Sequence, residues 1–375
     1  MKIDTLTYAR GIGFSAPLPP ANAINLLILI FGHADYLEDH TAFGQLQQHY
    51  PHAILMGCSS AGEILDKHIY DHSLVISIVQ FEKTRLHIEY ARIDTPTVSR
   101  AIAQTLADKL NMPDLKGIFV LSEGLNINGS ELAAGFNDVL PTNIIVTGGL
   151  AGDGERFSHT WVLKDAKPQR NVIAALGVYG DIQIGHGSQG GWKPFGPARE
   201  VTRSERNILY ELAGTPALAL YKTYLGEMAS GLPATGLRFP LALGQTNDDN
   251  ELVRTILAID EEAQSLIFAG DIPIGSQAQL MRANLDQLLE GAEEAALMCD
   301  AETDDPILAI AISCVGRRMV MGADAEEEVE AVLDNLPPST TQIGFYSYGE
   351  ISPANKDKGH CHLHNQTMTI TTFYE

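Results

Sequence analysis

Basic clusters are what this chain of 375 residues most lacks. It carries 25 Lys and Arg against 47 Asp and Glu, a formal charge of -22, and its densest basic run is Arg317-Arg318. Nucleic-acid affinity rests on neutralising phosphates with Lys and Arg, so that balance argues against a polyanion as ligand. Long apolar runs are also missing. Leu26 to Phe31 is too short for a membrane span and Met1 to Pro20 holds no leader-like apolar core, so no membrane contact is expected and the expected location is the cytoplasm. Cysteine is scarce: Cys58, Cys299, Cys314 and Cys361 show no C-x-x-C spacing. Neither a disulfide framework nor a structural zinc site is indicated, and C-x-x-C-H, the usual signature of covalent haem attachment, is absent.

What is present is ordinary globular material, 45% hydrophobic and 19% charged, long enough for two domains, or three small ones, with cores of their own. Within it one eight-residue phrase occurs twice, as Gly57-Cys58-Ser59-Ser60-Ala61-Gly62-Glu63-Ile64 and as Gly344-Phe345-Tyr346-Ser347-Tyr348-Gly349-Glu350-Ile351. Both fit G-x-x-S-x-G-E-I. Each is preceded by an apolar strand (24–31; 307–314), a helix-like stretch and a short strand (53–56; 341–343), and followed by a β-rich run (73–81; 367–374). The motif therefore joins strand to strand and closes a β-α-β-turn-β unit. A weaker third copy ends in Thr147-Gly-Gly-Leu-Ala-Gly-Asp153, after a strand at 117–121, a helix at 130–139 and a strand at 143–146. The fold class expected is α/β with mixed sheets: duplicated units forming two related domains with helices packed on the sheets.

Residues 185–203, rich in Gly and Pro and carrying Trp192, read as an irregular joint, followed by a helix over 209–225 and a long helix over 277–298. The joint is either a surface loop pinned by Trp192 or a lid over a pocket between domains.

The motif's chemistry is open to several readings. Glycine at Gly62 and Gly349 permits positive φ, and the following Glu63 and Glu350 can turn inward beside backbone N–H groups while Ser60 and Ser347 offer hydroxyls. These residues either fix the turn itself or bind a polar ligand at a pseudo-symmetric cleft. Gly57 to Gly62 misses the hydrolase elbow G-x-S-x-G by one residue and leads to a strand where the elbow leads to a helix. Cys58 as a nucleophile of a hydrolase or transferase is weakened by Phe345 in its place in the second copy. Paired glutamates acting as in a glycosidase lack an accompanying sugar-binding aromatic pattern. His360, His362 and His364 alternate on one strand face, but nothing else of zinc-site spacing accompanies them.

Taken together, these segments resemble the FIST sensory proteins, which have an N-terminal and a C-terminal FIST domain. The resemblance rests on 57–64, on Gly190 to Gly196 with Val201-Thr202, on Gly214 to Ala217, on Ser313 to Arg318, and on 344–351 with Leu363 to Thr367. It implies domains at 1–205 and 206–375 and a non-enzymatic, bacterial, small-ligand sensor in signal transduction that acts on a separate partner, a histidine kinase in one two-component branch. It further implies a ligand site among Cys58, Ser59, Ser60, Gly62, Glu63, Trp192, Tyr346, Ser347, Tyr348, Gly349, Glu350, Asn365 and Thr367. The ligand would be an amino acid or, in that branch, nitric oxide held by non-covalent haem b. His186 and His364 are the candidate axial ligands, ahead of His33 and His159.

Overall fold

The computed structural model describes residues 1–20, 24–244, 252–353 and 359–375. Three α/β units share one strand plan. In each, two parallel strands connected through a helix lie beside an antiparallel return strand and an antiparallel opening strand. The first unit orders Ile54–Ser60, Asn25–His33, Leu74–Phe81 and Lys2–Ala9. Ile145–Leu150, Leu115–Ser122, Val172–Tyr179 and Arg85–Arg92 form the second, and Thr340–Ser347, Ile307–Cys314, Met368–Tyr374 and Gln183–Gln189 the third. The duplicated units expected from the sequence are thus present, and the weak copy at 147–153 belongs to a full third member.

The units interlock through their hairpins, each of which completes a neighbour's sheet. Glu63–Leu65 of the first unit pairs with Thr340–Ser347 of the third, Gly349–Pro353 of the third with Ile145–Leu150 of the second, and Val162–Lys164 of the second with Ile54–Ser60 of the first. This cyclic exchange leaves no unit with a complete sheet of its own. Burial pattern explains the arrangement, because the strands Ile28–Phe31, Ile118–Leu121 and Leu308–Ile312 are buried on both faces and need cover on each. One face of every sheet packs on the common axis, where Phe31 stacks on Phe345 with ring centroids 4.7 Å apart. Helices Ser99–Leu110, Gly129–Val139, Leu285–Met298 and Ala325–Asp334 cover outer faces.

A β lobe is inserted into the third unit, between its opening strand Gln183–Gln189 and helix Leu285–Met298. It carries the strands Arg199–Glu205, Ile208–Leu212, Leu241–Gly244, Ser265–Phe268 and Gln277–Arg282 and the helix Ala217–Leu225 around its own apolar core. The boundary expected at 205/206 falls at the turn of the hairpin Arg199–Glu205/Ile208–Leu212.

Three local expectations are corrected. Residues 185–203 are only partly irregular: Gly185 to Gln189 pair with Met368 to Thr372, where a Cβ at Gly187 would meet the Ala295 carbonyl of helix Leu285–Met298, while 190–192 and 195–198 lie outside strands and helices. The helix expected over 209–225 starts only at Ala217, since Ile208–Leu212 is taken into the lobe's sheet. That expected over 277–298 is a strand and a helix; Ala278 and Leu280 alternate inward, and Asn284 with Gln287 forms a capping box that starts Leu285–Met298.

Candidate functional site

The three motif turns meet at the C-terminal ends of the parallel strands, the end at which α/β sheets place their ligands. Equivalent glycines Gly57, Gly148 and Gly344 each sit so close to the neighbouring strand that a Cβ would land on the carbonyl of Ile30, Val120 or Ala311. Three backbone hydrogen bonds then close a ring around the axis: Ala61 N–H donates to Tyr346 O at 2.8 Å, Gly152 to Ser59 O at 3.0 Å and Tyr348 to Leu150 O at 3.1 Å. The repeated phrase is therefore the interlock of the fold.

Its glutamates serve that interlock. Ser60 Oγ donates to Glu63 Oε1 at 2.5 Å, while the Ser73 N–H and hydroxyl approach Oε2 at 3.3 and 3.2 Å. In the later copy Ser347 Oγ lies 2.6 Å from Glu350 Oε1, and the Thr367 N–H and hydroxyl reach Oε2 at 3.2 and 2.9 Å. Each glutamate thus ties the start of its hairpin to the start of the return strand. Both side chains are fully buried. Burial pushes each carboxyl up to about 8, against the opposing pull of its hydroxyl and N–H donors. In the second unit Gly154 occupies the glutamate position and Val172 the hydroxyl position, so glutamate and partner are absent together.

Cys58 faces the packed axis in the same layer as Phe345, and the equivalent Gly149 is where the Phe345 ring leans, 3.2 Å from a notional Cβ. Burial pushes the Cys58 thiol well up, the opposite of what an activated nucleophile needs. Ser59 Oγ accepts the Trp161 N–H at 3.1 Å. Tyr346 donates to Glu328 Oε2 at 2.8 Å, and Tyr348 donates to Asp153 Oδ1 while Phe157 stacks on its ring. Trp192 is no lid: it is buried beside Met281, Leu288 and Met321, and its indole N–H donates to Gln366 O at 2.8 Å.

Gly62 is obligatory for a different reason from Gly349. At φ +138° it lies under the Arg318 guanidinium, which a Cβ would strike. Arg318 forks onto Asp71 at 2.9 and 2.8 Å, donates to Ala61 O at 2.5 Å and lies over the Tyr346 ring. Hydrogen bonding to Arg318 draws the Asp71 carboxyl below its ordinary value. Beside this pair His72 packs on His33, with ring centroids 4.2 Å apart, and Asp35 binds Arg156 at 2.8 Å and approaches His33 Nδ1 at 3.5 Å. Half of the Asp71 side chain and a quarter of that of Arg318 are open to solvent. The mouth of the axis is thus ringed by accessible charges of both signs, while the motif glutamates stay beneath it. Sequence reading missed Asp71, Asp35 and Arg156. Their signal was position, since each follows a strand end or a motif hairpin.

Neither proposed axial histidine fits haem. His364 already spends Nε2 on Ser352 O at 3.0 Å, and burial drives it down to about 4. His186 is buried with an unpartnered Nδ1 on the strand face opposite to Gly185 and Gly187, and it lines neither the axial cavity nor the larger groove at the other ends of the strands. The apolar cavity on the axis, lined by Leu29, Phe119, Ile310 and Phe373, holds about 10 Å³, no more than a water. A larger groove of about 420 Å³ lies at the opposite ends of the strands, between Leu115, Ile145 and Ile182, with no histidine in its lining. Among the described residues no cluster of His, Cys, Asp and Glu is arranged to hold a metal, the trio at 360–364 included. No helix among them is long and apolar enough to cross a membrane.

Three interlocked α/β units with a buried structural motif and a two-signed charged mouth define the class of fold. The FIST N domain matches residues 26–215 and the FIST C domain residues 217–353, and the chain belongs to the FIST family of small-ligand sensory proteins. The two matches meet inside the β lobe, so the third unit draws its opening strand from one and most of the rest from the other. The chain is similar to the uncharacterized protein MJ1623 of Methanocaldococcus jannaschii, 24% identical over 361 residues, spanning 87% of this chain and 66% of that protein, just under two thirds of its length. Cyanuric acid hydrolase from A. caulinodans aligns over 99% of this chain and 98% of its own, at 10% identity and a TM-score of 0.32.

Proposed function

We propose that this FIST protein senses a free amino acid at the axial mouth and passes the signal to a separate protein, for which a histidine kinase is the class suggested by family resemblance. The carrying observation is the half-exposed fork of Arg318 on Asp71. An amino-acid carboxylate has the shape of the Asp71 carboxylate and can take its place on the guanidinium, leaving Asp71 to receive the ammonium. Because Arg318 belongs to the third unit and Asp71 follows the hairpin donated by the first, that exchange alters a contact between interlocked units. A partner can read such a change through the populations of two arrangements.

Binding is favoured over catalysis because the Cys58 thiol is buried and protonated and each motif glutamate is bonded to its own turn and return strand. Haem has no part in the proposal, given the fit of His186 and His364; a Soret band on haem addition would support the haem reading instead. The test is a melting scan against the twenty amino acids. At a concentration about 100 times Kd, a ligand adds about 2.7 kcal/mol, which for a chain of 375 residues raises Tm by about 3 °C. An amino acid that does so with wild type and not with Arg318→Ala supports the reading; no shift with any of them overturns it.

A further inference from the structure

The pseudo-threefold plan assigns the same place to three residues: Asp71, Arg170 and Asn365, each just before a left-handed residue (His72, φ 60°; Asn171, φ 58°; Gln366, φ 65°) that enters the return strand. Their fates differ. Asp71 holds the Arg318 fork, and Arg170 is exposed. Asn365 is fully buried, and both its Oδ1 and its Nδ2 lack any partner. Where the first junction presents Arg318, the second unit has the uncharged segment Gly124 to Ile127 after its strand end. Buried amides are satisfied in native proteins, and one with both atoms unmet points to a missing occupant.

The surroundings say what kind. Asn365 lies beside Leu363 and Leu150 around Gly349. Next to it, Gln366 Oε1 is also unpartnered. The β lobe covers this segment: Arg254 Nη1 donates to Leu363 O at 3.1 Å, Gln366 Nε2 donates to Leu237 O at 2.9 Å, and Trp192 in the joint leading into the lobe binds Gln366 O. Ligands commonly sit at such seams between substructures. We infer that Asn365 is the floor of a closed subsite between the interlocked core and the β lobe, and that it takes a neutral group with one donor and one acceptor, a carboxamide. A paired amide contact would satisfy Nδ2 and Oδ1 together, one donor against one acceptor. This subsite is separate from the Arg318–Asp71 fork, so either can fail without the other.

The probe is propionamide, titrated to roughly 100 mM, a range suited to a ligand with so few atoms. The readout is the side-chain amide resonance of Asn365, assigned by its loss in Asn365→Leu. A saturable shift of that resonance in wild type, with the backbone amide resonances of residues 363–367 showing binding weakened about tenfold or more in a folded Asn365→Leu, is the expected result. Asn365→Asp should also weaken propionamide binding, through loss of the amide donor. An unmoved Asn365 resonance, or a crystal structure grown with propionamide showing only water there, overturns the proposal.

Discussion

Replacing both motif glutamates by glutamine should flatten the stability profile between pH 6.5 and 8. Burial raises the carboxyls of Glu63 and Glu350 to about 8, so between the ordinary carboxylate value and pH 8 the folded protein holds protons that the unfolded chain has released. For such raised carboxyls the stabilisation is complete at low pH and is lost as pH rises toward 8. Each group contributes a slope of at most about 1.4 kcal/mol per pH unit. Two groups in a chain of 375 residues lower Tm by about 3 °C per unit, less as pH nears 8. Below pH 6.5 the trend is opposed by His33, His186, His362 and His364, which burial lowers and which therefore stabilise less as pH falls. That opposing slope fades only as pH rises past the unfolded-chain histidine value near 6.5, and being common to wild type and variant it cancels in their difference. Glu123, raised by burial as well, stays in the variant and contributes with the histidines to its residual slope. Scanning calorimetry at constant ionic strength reads the difference between Glu63→Gln/Glu350→Gln and wild type. Parallel profiles of wild type and variant from pH 6.5 to 8 would refute the placement of these carboxyls.

Other outcomes follow from single contacts. Arg317 and Glu328, both fully buried and 2.5 Å apart, join the helix after Ile307–Cys314 to Tyr346 at the axis; Arg317→Met should cost about 3–5 kcal/mol in urea unfolding by stranding Glu328, and a loss below 1 kcal/mol would contradict it. Gly62→Ala drives a methyl into Arg318 at a positive φ, so hydrogen exchange should quicken through 63–70, whereas Gly349→Ala, whose nearest atoms are side-chain methyls of Leu363 and Leu150 at 3.0 and 3.1 Å, should perturb its hairpin less; equal effects would count against the different roles assigned to the two glycines. Trp192→Ala removes a buried anchor of the lobe and should lower stability by about 3–5 kcal/mol, and a near-neutral result would return Trp192 to the surface-loop reading.

The sequence made the units legible because strand patterns, helix positions and the repeated turn are local signals. Gly57 to Ile64 and Gly344 to Ile351 do join strand to strand, and the weak ending at 147–153 does mark a third unit. The exchange of hairpins was not legible. Residues 63–70 carry nothing to say that they pair with 340–347 and not within their own unit, since register is set by long-range cover of doubly buried strands. The glycines at 185–191 suggested a loop, yet some are imposed by helix packing on a strand. The motif's Ser and Glu left turn-fixing and ligand binding both open in the sequence, and only geometry shows that Ser73 and Thr367 complete their bonds. Arg318 was visible, as half of the densest basic run, but its partner Asp71 lies 247 positions away.

The axial-mouth reading is tested most directly by isothermal calorimetry of the amino acid that raises Tm, measured on wild type, Arg318→Lys and Asp71→Asn. Lysine keeps the charge and loses the fork, and loss of such a contact is worth about 1.5–3 kcal/mol. The account predicts that Arg318→Lys weakens binding about tenfold to a hundredfold, and that Asp71→Asn weakens it too through loss of the ammonium partner. Unchanged affinity in both variants would place the ligand elsewhere on the molecule and contradict it.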